Sequence, residues 1–286
     1  MFKNQYNANP IIFSPDGQLL QLSFAKKASD RGEISLSIKS KNHIVLLGSL
    51  KSESNQFNKE NRFLTFGNNF LIITSGISKD GRYLNEILKR NKYRQENSSN
   101  RFCQIPDIAK FCSKVIGRNT YYSNTRLFGI KLILVGYDSS GPFLFEFNPD
   151  GSFQETNYAG QGKGSNKIIG LMQEFSKKLE NFSLDELINQ ILLFYIKSIE
   201  NSKRKTINEN SICLSSIGKN LETIVLREMI IKFYLKIFQK RNCEVNKSYS
   251  ERNENDDSDE FESIVQWSTY ESDVWPMDLI YNSLEF

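Results

Sequence analysis

The apolar residues of this chain change period in a fixed order, strands in runs and then helices in pairs, and the order repeats. From Glu33 onward Ile34, Leu36 and Ile38 alternate with Ser35, Ser37 and Lys39, and a polar Lys41-Asn42 turn leads into the apolar run Ile44–Leu47. Period-two alternation on both sides of a short polar turn predicts a hairpin. A second hairpin is predicted from Arg62–Phe66 and Phe70–Thr74, joined through Gly67-Asn68-Asn69. Helices are expected over Lys79 to about Glu96 and Pro106 to about Arg118, followed by strands at Gly129–Gly136, Phe143–Phe147 and Ser152–Tyr158. Turns at Asp138-Ser139-Ser140-Gly141 and Asn148-Pro149-Asp150-Gly151 separate those strands. A second helix pair covers Ser165–Leu179 and Leu184–Ile199, the latter opening on the capping box Ser183-Leu184-Asp185-Glu186. A hairpin, Ile212–Ser216 with Glu222–Leu226, and a helix from Arg227 to about Gln239 complete the series.

Runs of strands alternating with helix pairs exclude the strict β-α-β-α succession of a doubly wound parallel sheet. The expected fold is α+β, a four-layer α-β-β-α sandwich in which two antiparallel sheets pack face to face with helix pairs outside. Three regions follow: residues 1–31 as an arm and first helix, 32–243 as the sandwich, and 244–286 as a tail. In the first, Ser14-Pro15-Asp16-Gly17 carries the residues of a type I turn and launches a helix to about Asp30, with Leu20, Phe24 and Ala28 on one stripe. In the last, residues 251–286 hold eleven acidic side chains against the single basic Arg252, and so the overall +4 hides a body near +14. Residues 244 to about 262 are too polar to offset ordering entropy and are expected to be disordered, while Trp267 and Trp275 stand further out as aromatic anchors.

Four cysteines without C-x-x-C spacing fit reduced thiols, and one histidine, His43, with no paired soft ligands predicts no metal or other cofactor. The chain has no apolar run of membrane-spanning length and no apolar core of a signal peptide near Met1, which points to a soluble intracellular protein with no membrane partner. The loop Gly160-Gln161-Gly162-Lys163-Gly164-Ser165 fails the phosphate-cradling pattern, because Gly164 stands where Ser or Thr must follow the lysine. A basic body leaves nucleic-acid binding open as an alternative. Its lysines and arginines are spread over Lys26-Lys27, Lys89-Arg90, Lys177-Lys178 and Lys203-Arg204-Lys205 rather than gathered in one stripe, so no specific nucleic acid is expected.

The order of several short motifs is similar to that of 20S proteasome alpha-ring subunits over residues 1 to about 240. They are the arm Met1-Phe2-Lys3-Asn4-Gln5-Tyr6, the turn Phe13-Ser14-Pro15-Asp16-Gly17, and Gln21-Leu22-Ser23-Phe24-Ala25. Further along come Gly76-Ile77-Ser78-Lys79-Asp80-Gly81-Arg82, Arg126-Leu127-Phe128-Gly129, Gly136-Tyr137-Asp138 and Gly162-Lys163-Gly164-Ser165. The prefix resembles most the type-1 branch, which takes the sixth place of the eukaryotic ring.

The resemblance implies the sandwich of the N-terminal-nucleophile hydrolases, also with an N-terminal gate arm and helix, and a chain without its catalysis. Proteasome beta subunits use a freed N-terminal Thr with an Asp and a Lys. The matched positions here read Glu33, Ser49 and Arg62, so no catalytic residue and no enzyme activity are expected; an active amidohydrolase of the same fold is the enzyme alternative. The resemblance further implies a heptameric ring with other alpha subunits, contact with beta-ring subunits and with a regulatory particle or other activators, and residence in cytoplasm and nucleus. By the same resemblance the gate cluster falls on Tyr6, Asn7, Pro15 and Phe24, where Asn7 replaces an aspartate and Phe24 a tyrosine, removing a carboxylate and a phenol hydroxyl. The activator-tail pocket falls on Gly32, Arg62 and Ile77, with the Arg62 guanidinium suited to gripping a tail carboxylate.

Overall fold

The computed structural model describes residues 11–50, 62–65, 69–99, 102–122, 125–200, 212–218 and 221–225. Contacts divide the chain into residues 1–226 and 227–286, and all the described residues lie in the first unit. The helix predicted from Arg227, the acidic tail with its two tryptophans, the 52–60 loop and most of the Gly67-Asn68-Asn69 turn lie outside the described residues.

A short helix, α1 (Leu20–Asp30), precedes the hairpin β1 (Ser35–Lys39) and β2 (His43–Ser49), then β3 (Phe63–Thr65) and β4 (Phe70–Gly76). The helix pair α2 (Ser78–Ser99) and α3 (Ile105–Tyr121) leads to β5 (Ile130–Asp138), β6 (Gly141–Phe147), β7 (Phe153–Glu155) and β8 (Tyr158–Gln161). Then come α4 (Ser165–Leu179), α5 (Leu184–Glu200), β9 (Ile212–Gly218) and β10 (Leu221–Val225). One sheet runs β10-β9-β2-β1-β8 and the other β3-β4-β5-β6-β7, with every pairing antiparallel. Helices α4 and α5 lie against the first sheet and α2 and α3 against the second, giving the expected α-β-β-α sandwich.

Alternation within the strands builds these layers. On β4 and β5, Phe70, Ile72, Ile130, Leu132 and Leu134 turn to the helices and join Leu84, Leu88, Ile108 and Ile116. Their neighbours Leu71, Ile73, Ile133 and Val135 turn the other way and meet Ile44, Leu46 and Ile217 of the facing sheet. A strand buried on both faces has no polar side to offer, which explains its near-continuous apolar sequence. At the capping box of α5 the Glu186 half forms, its Oε2 accepting from the Ser183 N–H at 2.7 Å and from the Ser183 hydroxyl at 2.9 Å.

Two details depart from the sequence reading. The single strand expected over Ser152–Tyr158 is two strands in different sheets: β7 pairs with β6, and β8 pairs with β1. The chain crosses over at Thr156-Asn157, where the Thr156 amide donates to the Leu144 carbonyl and the Asn157 carbonyl accepts from Lys39. The second departure is the face that α1 buries. That face is Ala25 and Ser29, while Phe24 is 47% exposed. Small residues face inward because backbone is what α1 meets: a Cβ added to Gly76 would lie 3.0 Å from Ser29 Cα, and one added to Gly129 would lie 3.6 Å from the Ala28 methyl.

Candidate functional site

The ends of β1, β2 and β4 and the start of β3 meet at one end of the sandwich, and they gather the three positions matched to nucleophile, Asp and Lys. Glu33 immediately precedes β1, and its Oε2 accepts from the Ser49 hydroxyl at 3.2 Å. Ser49 also donates its N–H to the Ile34 carbonyl at 3.0 Å. Arg62 reaches the same place, where Nη2 donates to the Glu33 carbonyl at 3.1 Å, the Ile34 carbonyl at 3.2 Å and the Ser35 hydroxyl at 2.6 Å, and Nη1 donates to the Thr74 carbonyl. The guanidinium thus ties the second sheet, through Thr74, to the start of β1 in the first.

The guanidinium is directed at oxygens of its own chain. Arg62 points inward, its Nη1 and Nη2 donate to three backbone carbonyls and the Ser35 hydroxyl, and its Nε is enclosed without a partner. Burial pushes its pKa below the usual arginine value, an effect that Cys213 and Glu33 partly offset. Of the other pocket residues, Gly32 packs directly against Ser75 and Gly76, and Ile77 follows Gly76 at the surface, 41% exposed. Gly32 and Ile77 thus share the end of β4, where Thr74 accepts from the half-buried Arg62. Of the gate cluster, Pro15 and Phe24 are exposed, while Tyr6 and Asn7 lie outside the described residues.

The chemistry available at this end is limited. Glu33 is an internal residue behind α1, so its nitrogen is a peptide amide. The nearby Cys213 thiol donates to the Gly48 carbonyl at 3.2 Å, and burial pushes its pKa up to about 12, which keeps it protonated near neutrality. The loop after β8 faces the same place: Gly162 adopts φ +93° against the Glu33 carbonyl, and the Lys163 N–H donates to the Gly32 carbonyl at 3.0 Å. Its backbone is engaged with the chain's own carbonyls, as a structural turn and not a phosphate cradle.

The sequence motifs also meet in a way that inspection of either one alone does not reveal. Asp80, in the first turn of α2, is 4% exposed and binds both Nη1 and Nη2 of Arg126, the first at 3.0 Å. Its Oδ2 also accepts from the Gly129 N–H at 3.0 Å, and the Gly129 carbonyl accepts from Ile77 at 3.1 Å. The Asp80 carboxylate holds the Arg126 pKa above its ordinary value. Arg126 is 65% exposed, so the ion pair itself contributes little, and the buried bond to Gly129 dominates. We expect Asp80→Ala to lower stability by about 2 kcal/mol by leaving that amide without an acceptor, measured as a reduced urea midpoint at unchanged m-value.

The sequence pattern of proteasome subunits matches residues 29–215, and with the sandwich in place that match decides the family. The chain belongs to the proteasome subunit family. Its curated relatives include proteasome alpha subunits. It is 27% identical over 225 residues to a probable proteasome subunit alpha type-6 of Schizosaccharomyces pombe, covering 77% of this chain and 80% of that one. Identity is 23% over 236 residues to proteasome subunit alpha type-6 of Saccharomyces cerevisiae, covering 82% of this chain and 100% of the relative. It is 23% over 244 residues to proteasome subunit alpha type-1 of Dictyostelium discoideum, covering 84% and 96%. This proteasome subunit stands with the alpha subunits, close to types 1 and 6.

Proposed function

We propose that this proteasome alpha subunit is a structural, non-catalytic member of the 20S core. It occupies one of seven places in the alpha ring, contacts beta-ring subunits on one side, and contributes to the pore through which substrates pass and to docking of a regulatory particle or other activators. The setting is intracellular protein degradation, ubiquitin-dependent and otherwise, in cytoplasm and nucleus. The observation that most supports the reading is Arg62: at the place of a catalytic lysine it is spent on the Glu33, Ile34 and Thr74 carbonyls, beside an amide where a Thr nucleophile needs a free amine.

In this reading activator tails dock over Gly32 and Ile77, and Arg62 braces the backbone beneath them instead of meeting the tail carboxylate. The arm acts through Tyr6, Asn7, Pro15 and Phe24, and with Asn7 and Phe24 it brings fewer hydrogen-bonding groups to an open pore than Asp and Tyr would. The expected result is that the purified full chain hydrolyses no fluorogenic peptide. Turnover that co-purifies with the chain through repeated steps and is abolished by Ser49→Ala would establish an active amidohydrolase instead.

A further inference from the structure

Helices α2 and α3 turn Leu84, Leu88, Ile108 and Ile116 to the second sheet and present one polar surface outward, and its charges do not balance. Helix α2 carries six lysines and arginines and α3 three, against four acidic side chains on the two together. All four acids are already engaged. Asp80 binds Arg126, while Glu86, Glu96 and Asp107 pair with Lys89, Lys92 and Lys110 of their own helices at 3.4 to 3.7 Å. Lys79, Arg82, Arg90, Arg94, Lys114 and Arg118 are all exposed, and among the described residues none of them meets a carboxylate.

Arg90 and Arg94 fall four apart on α2, as do Lys114 and Arg118 on α3, so each pair shares a helix face. Like charges at that spacing work against a helix, and an acidic surface set against them removes the repulsion. The chain neutralises three lysines by itself and leaves four arginines unanswered. Tyr83, Tyr93 and Tyr121 stand on the same two helices, each more than half exposed. Arginine and tyrosine are the residues enriched where proteins meet, and lysine is depleted there. The carboxylates of Glu86, Glu96 and Asp107 on these helices would repel a phosphate backbone, which favours a protein over a nucleic acid.

We propose that the outward face of α2 and α3 is a docking surface for an acidic protein surface, that of a neighbouring subunit in the assembled particle. Arg82, Arg90, Arg94 and Lys114 meet its Asp and Glu side chains, and Tyr83 and Tyr93 supply the apolar contact between them. The choice of a neighbouring subunit rests on the reading of this chain as a member of the 20S core. The acidic character of the partner rests on the charges alone.

Carbodiimide joins an amine to a carboxylate in direct contact with it, and phenylglyoxal reads exposed arginines. In particles containing the full chain, carbodiimide is expected to link Lys79 or Lys114 to an Asp or Glu of another subunit, with Lys39 and Glu155 at 3.0 Å as the internal control. Arg90 and Arg94 are expected to lose most of the phenylglyoxal reactivity that they show in the free full chain. Absence of either result overturns the proposal. On the purified full chain the probe is a labelled glutamate-tyrosine copolymer. Arg90→Gln with Arg94→Gln should weaken its binding roughly tenfold. Lys167→Gln with Lys178→Gln, which removes the same charge from α4 over the other sheet, should leave the affinity nearly unchanged. Equal weakening by the two pairs would reduce the surface to net charge, and tighter binding of a single-stranded oligonucleotide of matched charge would make it a nucleic-acid surface; either overturns the proposal. The copolymer measurement needs no particle, so its failure is separate from failure of the ring reading.

Discussion

Arg62→Ala is expected to lower the stability of the chain by about 3 kcal/mol, because hydrogen bonds to a charged donor are worth about 1.5 to 3 kcal/mol and four end on this one guanidinium. The variant leaves the carbonyls of Glu33 and Thr74 and the Ser35 hydroxyl short of a donor between two sheets. The Ile34 carbonyl is less affected, since the Ser49 N–H still donates to it, and this keeps the total below the sum of four bonds. Arg62→Met separates volume from donors by restoring most of the bulk, and it should recover less than half of the loss. Urea unfolding of the full chain measures both variants. Wild-type stability in Arg62→Ala would mean that the guanidinium faces water and that the brace does not exist.

Gly32→Ala is expected to cost at least as much, about 3 kcal/mol or more, and to deplete assembled particles. A Cβ at Gly32 would lie 2.1 Å from the Gly76 nitrogen and 2.4 Å from Ser75 Oγ. The first of these is backbone in the middle of a glycine contact and has nowhere to move. Gly76 is itself at φ +116°, with its own Cβ direction only 2.2 Å from the Gly129 carbonyl. The segment before β1, the end of β4 and the start of β5 thus approach through glycine, and one methyl group separates them. A soluble Gly32→Ala chain with an unchanged unfolding midpoint would contradict this packing.

Periodicity made the sandwich legible. Ile34, Leu36 and Ile38 place β1, and the pairing of helix patterns after each strand run gives the layer order. What periodicity cannot say is which sheet a strand joins. Over Ser152–Tyr158 the extended segment spans two sheets, and the crossover at Thr156-Asn157 carries no glycine or proline to mark it.

Arg62 was readable in position but not in direction. Three of its four acceptors are main-chain carbonyls of residues 12 to 29 positions away, and carbonyls leave no signature in a sequence. Asp80 and Arg126 were visible as separate motifs. Only folding brings them into contact across 46 residues. Phe24 illustrates a different limit: helical spacing put it on the apolar stripe, yet the surface beneath α1 is glycine backbone that admits Ala25 and Ser29 and excludes a ring.

The central claim is membership of an alpha ring, and native mass spectrometry of particles captured through a tag on this chain in its own cells tests it most directly. The predicted result is a complex many times the 33.1 kDa of the chain that holds one copy of it per alpha ring together with the other alpha and beta subunits. Recovery of the chain as a free 33.1 kDa monomer, or in a complex without beta subunits, would contradict it.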